Sequence, residues 1–445
     1  MFFSFAAGLL SVPHSAVARG VSLIRDAEIE NNIREYSTPV FRAAGLEAEA
    51  INIYLVKDNS LNAFVAGGQN IFIHTGLLLK STSASEIIGV IAHETGHISG
   101  GHLSRTGDAI SRSSAPALLG FILGGAASIA TGRGDIGAAI TAGGQSIAQR
   151  NFLRYSRTQE SSADHAALKY LDTTKQSATG LSQFMTVLQD QELLSTASQD
   201  PYVRTHPLSR ERIETIENHV KNSPYSNVPP SPFQVASHAR IKAKLYAFLN
   251  APGRTLRIYK KSDSSVAARY ARAIAYYRSA KISQSLELVD GLLNELPSDP
   301  YFHELRGQIL FENARIREAL VSYQKASDLL PGSFLIRREL ARVQIETNDP
   351  KLTDTAIKNL RIALPKEPKT AFTWRLLATA YGRKGDVGNS SLALAEEALI
   401  NGKTDIASYH AGRAEKLFPN GSREWIQSQD ILLAAKSQNR AREKK

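Results

Sequence analysis

His93, Glu94 and His97 stand in the segment I-A-H-E-T-G-H, where two imidazoles four residues apart bracket a carboxylate. On a helix, positions four apart share a face, so both rings can grip one metal ion. Glu94 then sits beside the ion, placed to take a proton from a water that the metal has made acidic. The chemistry such a set performs is hydrolysis. A five-residue match also arises by chance among core histidines, so the rest of the chain must supply a helix and a third ligand.

A buried helix is predicted over residues 84–103. Ser83 and Glu86 make an S-x-x-E capping box, and Ile87, Ile88, Ile91 and Ala92 follow at helical spacing. A buried helix avoids unpaired ionisable groups, so two His and one Glu in its middle need a shared reason. Downstream, S-R-T-Q-E-S-S-A-D from Ser156 to Asp164 runs into Ala166, Ala167, Leu168, Tyr170 and Leu171, a second apolar-faced helix. Glu160 and Asp164 lie four apart on one side of it. Glu160 completes a His-His-Glu set, and Asp164 is placed to hold the outer N–H of a ligating ring. Taken alone, the two carboxylates also fit an ordinary solvated face. His102 and His165 turn away from the ligand faces and are expected to be structural or solvent-facing. His74, at a strand end, has no further support.

H-E-T-G-H followed by S-R-x-Q-E-x-x-A-D resembles the HtpX-type zinc endopeptidases, whose clan also holds the CAAX prenyl proteases. His206-Pro207 with Arg212 in T-H-P-L-S-R-E-R-I matches as well, as does Asn62-Ala63-Phe64 followed by Gly67-Gly68 and Gly76-Leu77-Leu78. The resemblance spans residues 20–220, and the helical continuation is similar to the periplasmic BepA-type subgroup. It implies a zincin-like domain with a small β-sheet, holding one Zn2+ per chain through His93, His97 and Glu160. Glu94 would be the general base and then the acid toward the leaving amine. His206 and Arg212 would stabilise charge on the carbonyl oxygen, and Asp164 would support a ligating imidazole. The subgroup also implies that the His of the H-P motif reaches the zinc at rest. His206 is therefore an inhibitory fourth ligand, an oxyanion stabiliser, or both in turn.

An extended substrate needs a sheet edge. Asn62, Ala63 and Phe64 are read as a substrate strand, and Ile71-Phe72-Ile73 as a strand that pairs with substrate backbone by β-augmentation. Residues 51–56 are expected to neighbour it, while Phe64 and Phe72 serve core packing. Main-chain pairing is nearly blind to side chains, so the expected substrates are unfolded or extended proteins.

The chain's 445 residues are too many for one ordinary core. The absence of Cys excludes disulfides, thiol catalysis and Cys-based zinc sites. Residues 1–18 read as a signal peptide, with an apolar run and Ala16-Val17-Ala18 as the cleavage pattern, although a basic n-region is missing. Residues 19–221 are expected to form the metalloprotease domain. A Gly/Ala-rich insert runs from Ala115 to about Ile147, uncharged from Ala115 to Thr131 and again after Arg133 and Asp135, and each run is too short and mild to span a bilayer. It is read as close helical packing, with peripheral membrane contact as the second reading.

Residues 222–264 form a Pro-rich linker and connecting helix. From residue 265 to 435 the chain turns repetitive: Pro297, Pro331 and Pro365 recur every 34 residues, the period of a tetratricopeptide repeat (TPR). Gly307, Ala319, Tyr323 and Ala326 fall at its packing positions, and Trp374, Leu377, Ala378 and Tyr381 follow its opening pattern. Such arrays stack into a solenoid that binds partners on its concave face. The basic tail, 436–445, is expected to be disordered. Net charge is +11 without a nucleic-acid fold, which points to surface chemistry and no nucleic acid.

The expected fold is α+β, mostly helical, with an all-α TPR solenoid. The expected activity is that of a zinc endopeptidase of the bacterial envelope, in the periplasm, acting on misfolded or stalled proteins. Its TPR array would dock envelope assembly proteins. The alternative is a TPR chaperone or adaptor for outer-membrane protein assembly whose peptidase is silent.

Overall fold

The computed structural model describes residues 22–102, 147–192, 202 and 206–443. The expected signal peptide and the Gly/Ala-rich insert up to residue 146 lie outside the described residues. The chain divides into two compact units, Met1–Ile24 with Glu30–His238, and Arg25–Ile29 with Ala239–Lys445. The division falls within the predicted connector 222–264.

The first unit holds a four-stranded sheet in the order β1-β2-β4-β3, made of β1 (Leu23–Ile24), β2 (Asn52–Val56), β3 (Ala63–Ala66) and β4 (Asn70–His74). Period-two alternation sends Ile53, Leu55, Ile71 and Ile73 into the core. On the opposite face Tyr54, Phe72 and Phe64 stand in register and stack at 5.1 and 5.0 Å. The β3–β4 hairpin turns through Gly67 and Gly68, both at positive φ, which suits a tight right-twisted turn. As expected, β2 neighbours β4, in parallel. But β4 is an interior strand, paired on both sides, so Ile71–Ile73 cannot add a substrate strand. Of the sheet's two edges, β3 carries Ala63 and Phe64 and packs against the helix that holds His93 and His97.

That helix, α3 (Ala84–Ser99), follows α1 (Ala27–Ala43) and α2 (Thr75–Lys80). It stops short of residue 103 because Gly100 closes it and Gly101 takes φ +61°. The expected capping box is not formed. Ser83 makes no side-chain cap, and Glu86 instead accepts from the backbone N–H and hydroxyl of Thr82. Around α3 pack α4 (Ile147–Thr173) and α5 (Thr179–Glu192), and α6 (Arg210–Asn222) packs on both of these. Two glycines seat α3. A Cβ at Gly96 would lie 2.7 Å from the carbonyl oxygen of Ala163, and one at Gly89 within 2.8 Å of Leu181.

The second unit is helical throughout. After α7 (Pro232–Leu249) and α8 (Pro252–Ile258) come α9 (Val266–Arg278), α10 (Ile282–Glu295), α11 (Pro300–Glu312), α12 (Ile316–Leu329), α13 (Phe334–Glu346) and α14 (Pro350–Ala363). Then follow α15 (Ala371–Lys384), α16 (Val387–Ile400), α17 (Thr404–Glu415) and α18 (Arg423–Glu443). From α8 onward each helix packs against the next, the nearest-neighbour pattern of a repeat array. Asp299-Pro300 and Asp349-Pro350 start helices in the same way, with the carboxylate capping free N–H groups and Pro at the first position. Pro297, Pro331 and Pro365 lie just past the ends of α10, α12 and α14. The basic tail is not disordered as expected. α18 continues to Glu443 because Ile431 and Ala435 bury against α16 and α17, and Asn439 accepts from the Thr404 hydroxyl. Among the described residues, no helix is long and apolar enough to cross a membrane.

Candidate metal centre

The site is built where α3 and α4 touch. Helical spacing puts His93 and His97 on one face of α3, Glu160 and Asp164 on one face of α4, and Gly96 lets the two faces meet. The Nε2 atoms of His93 and His97 stand 3.1 Å apart. Glu160 places Oε2 3.3 Å from His93 Nε2 and Oε1 3.4 Å from His97 Nε2. Nitrogen ligands about 2.0–2.1 Å from a tetrahedral zinc lie about 3.3 Å from one another, so these separations are edges that such an ion fits. His206 joins the same cluster, with one ligand atom from each of the four residues within 4.8 Å of the others.

The charges fit an ion as well. Glu94, Glu160 and Asp164 are all buried, and Arg212 pairs its guanidinium with Glu160 and Asp164. Among the described residues carboxylates outnumber cationic side chains here, an excess that a divalent cation would offset. Glu94 Oε1 is buried without a hydrogen-bond partner, 3.5 Å from His206 Nε2. A carboxylate left short in this way is what a nearby ion or its water satisfies.

Residues 24–220 match the profile of Peptidase family M48. The relatives extend further along the chain. The beta-barrel assembly-enhancing protease of Yersinia pestis is 22% identical over 86% of this chain and 78% of its own. Its namesake from Escherichia coli (strain K12) is 21% identical over 86% of this chain and 78% of its own. The solved MamA RS-1 ArsTM double mutant aligns at 14% identity and a TM-score of 0.30, covering 43% of this chain and 98% of its own. That likeness is too slight to argue from. Residues 24–220 are an M48 peptidase domain. The chain is therefore a metallopeptidase, and its metal-ion candidates are the residues just described.

In this M48 domain Asp164 and Arg212 form the second layer. Asp164 Oδ1 accepts from His93 Nδ1 at 2.8 Å, so His93 presents Nε2 to the cluster. Arg212 donates from Nε and Nη2 to Asp164 at 2.6 and 2.9 Å, and from Nη1 to the carbonyl of Pro207 at 2.9 Å. Nη1 also stands 3.1 Å from Glu160 Oε2. Arg212, expected beside the carbonyl oxygen, thus spends its donors on the two carboxylates of α4 and on the H-P turn. His206 turns Nδ1 to both Glu160 oxygens, at 3.2 and 3.1 Å. Asn62 is buried just ahead of β3, where its carbonyl accepts from the His74 N–H.

Burial would lower the His93 pKa, but the hydrogen bonds it donates to Asp164 and Glu160, with their charges, push it up to about 10. In the metal-free protein a proton on His93 thus makes up part of the missing positive charge, and metal and proton compete. Burial would raise Glu160 too, yet the neighbouring His206 and His97, with hydrogen bonds from His206 and His93, hold it well below the carboxylate range. Glu94 goes the other way, raised chiefly by burial. A raised carboxyl is suited to holding a proton between two steps.

Two residues at the site were not anticipated. Tyr202, fully buried, stacks on His206 at 4.3 Å and accepts the His206 backbone N–H at 2.7 Å. The only signal was an aromatic four residues before the H-P motif. His102, expected off the ligand face, is buried with its Nδ1 2.9 Å from His97 Nδ1. Gly100-Gly101, which reverses the chain, was the signal for that.

Proposed function

We propose that this chain is a zinc-dependent endopeptidase of the bacterial cell envelope, acting in the periplasm on misfolded or stalled proteins. We further propose that its helical repeats, read as a TPR array, dock envelope assembly proteins. The observation that carries the peptidase chemistry is the set of ligand separations around His93, His97 and Glu160, with Glu94 Oε1 unpartnered beside them. The relatives named for enhancing beta-barrel assembly, matched over most of this chain, support the envelope setting.

His93, His97 and Glu160 would hold the zinc. When bound, zinc polarises a carbonyl oxygen and makes water a nucleophile near neutral pH. Glu94 takes the proton of the attacking water and hands it to the leaving amine. Asp164 fixes the His93 tautomer, and Arg212 fixes Asp164 and the Pro207 turn. The β3 edge orients substrate backbone, so unfolded chains are favoured over folded ones. His206, held between Glu160 and Glu94 and backed by Tyr202, closes the site at rest and must swing aside for substrate. Once displaced, it is free to stabilise charge on the carbonyl oxygen.

Casein cleavage by wild type, Glu94→Gln and His206→Ala tests this reading. Glu94→Gln should lose about 10²–10⁴-fold in rate while keeping zinc. His206→Ala should cleave faster if closure dominates, and slower if its role is purely catalytic. Glu94→Gln cleavage equal to that of an active wild type sinks the peptidase mechanism, and a wild type that does not cleave leaves the adaptor reading with a silent peptidase.

A further inference from the structure

We infer that His102 is a positioning residue of the metal centre, the hydrogen-bond acceptor that sets the tautomer and angle of His97. This role rests on the zinc reading above. His93 and His97 face the cluster through Nε2, and each needs something to hold its outer Nδ1–H. For His93 that group is Asp164. For His97 it is His102, whose Nδ1 lies 2.9 Å from His97 Nδ1, with the rings edge-to-face at 5.0 Å and 79°.

The proton's place follows from the geometry. His97 Nε2 stands 3.1 Å from His93 Nε2 and 3.4 Å from Glu160 Oε1, on the ligand side, and must be free of a proton to bind an ion. Neutral His97 then carries its proton on Nδ1 and donates it to His102 Nδ1, which leaves the His102 proton on Nε2. A neutral acceptor here adds no negative charge, whereas Asp164 behind His93 is itself balanced by Arg212.

The chain is built to bring this ring back. α3 ends at Ser99, Gly100 N–H bonds the Gly96 carbonyl at 2.9 Å, and Gly101 takes φ +61° to reverse direction. The returning ring lies across Gly100, where a Cβ would come 2.4 Å from His102 Nε2. Gln159, next to Glu160 on α4, donates to the His102 carbonyl at 3.3 Å, so the turn is tied to the helix that carries the third ligand.

The test is zinc affinity, from competition between the full chain and a chromophoric chelator titrated with zinc chloride. His102→Phe keeps a ring without an acceptor, and His102→Asn restores an acceptor near the same point. The Phe variant should bind zinc 10–100-fold more weakly than wild type, and the Asn variant within about threefold of it. Melting of each metal-free variant shows that it is folded. If the Phe variant does not fold, His102→Ala takes its place and should be weaker than Asn by the same factor. Acceptor-free variants that bind like wild type, or an Asn variant as weak as they are, overturn the role. Wild type that takes up no zinc overturns the metal reading itself, a result distinct from either.

Discussion

Glu28 in the second unit and Glu160 in the first are both buried carboxylates, but they meet different company. Glu28 has Arg240 Nη2 at 2.6 Å, Lys244 Nζ at 3.2 Å and the Tyr270 hydroxyl at 2.8 Å. Arg240 continues to Asp299 and Lys244 to Asp26, so the chain itself supplies the cations of this cluster. Burial would push Glu28 up, yet Arg240 and Lys244 hold it below the usual carboxylate range. Around Glu160 the chain supplies three imidazoles and one guanidinium for three carboxylates. Two cations of the chain set directly on a buried carboxylate make a lock. Buried carboxylates with ring nitrogens converging on them make a site for an ion.

Removing one guanidinium from each cluster should separate lock from site, and gives the largest expected effect. Arg240→Met leaves Glu28 underpaired and should destabilise the chain by about 3–5 kcal/mol in denaturant unfolding, with zinc affinity unchanged. Arg212→Met strands Asp164 and should be destabilising too, but it should also weaken zinc binding about 10–100-fold. Equal zinc affinities in the two variants would dissolve the distinction.

How much of this was legible depends on how local each feature is. His93, His97, Glu160 and Asp164 follow from helical spacing, because four residues bring side chains to one face whatever surrounds the helix. The repeat period was legible for the same reason. His102 was read as structural, but its contact with His97 was not legible, because the helical count passes through Gly100-Gly101, where the helix has already ended. Strand order is a non-local property. Alternation marks Ile71–Ile73 as a strand but is silent on whether a neighbour takes each edge. Arg212 lies in the right motif, yet its partners depend on how α6 lies against α4. Composition misjudged the tail, since Ile431 and Ala435 anchor a helix that its charges obscure.

Two glycines sharpen the comparison at smaller scale. A Cβ at Gly307 would meet the Tyr323 ring at 2.6 Å, and one at Gly96 the backbone of Ala163 at 2.7 Å. A ring can shift, so Gly307→Ala should cost about 1–3 kcal/mol in unfolding and leave zinc binding alone. The backbone at Ala163 cannot move without moving Glu160 and Asp164 on the same turns of α4. Gly96→Ala should therefore lower zinc affinity as well as stability, and a Gly96→Ala protein with wild-type affinity would show that the ligand helices tolerate separation.

The smallest effect concerns what the lock does with its own excess of acid. Glu304 neighbours Lys244, Asp26 and Glu28, and its Oε2 is buried without a hydrogen-bond partner. Burial pushes its carboxyl from 4.5 up to about 8, so the folded chain keeps a proton there that the unfolded chain releases. Between those values the folded state binds more protons than the unfolded one, and stability falls as pH rises. Glu304→Gln removes that slope. Its gain over wild type should be near zero below pH 4.5, grow through the window and level off above pH 8. Unfolding curves at pH 5 and pH 8.5 measure it. A gain that is the same at both pH values would mean that Glu304 is ionised in the folded chain and paired.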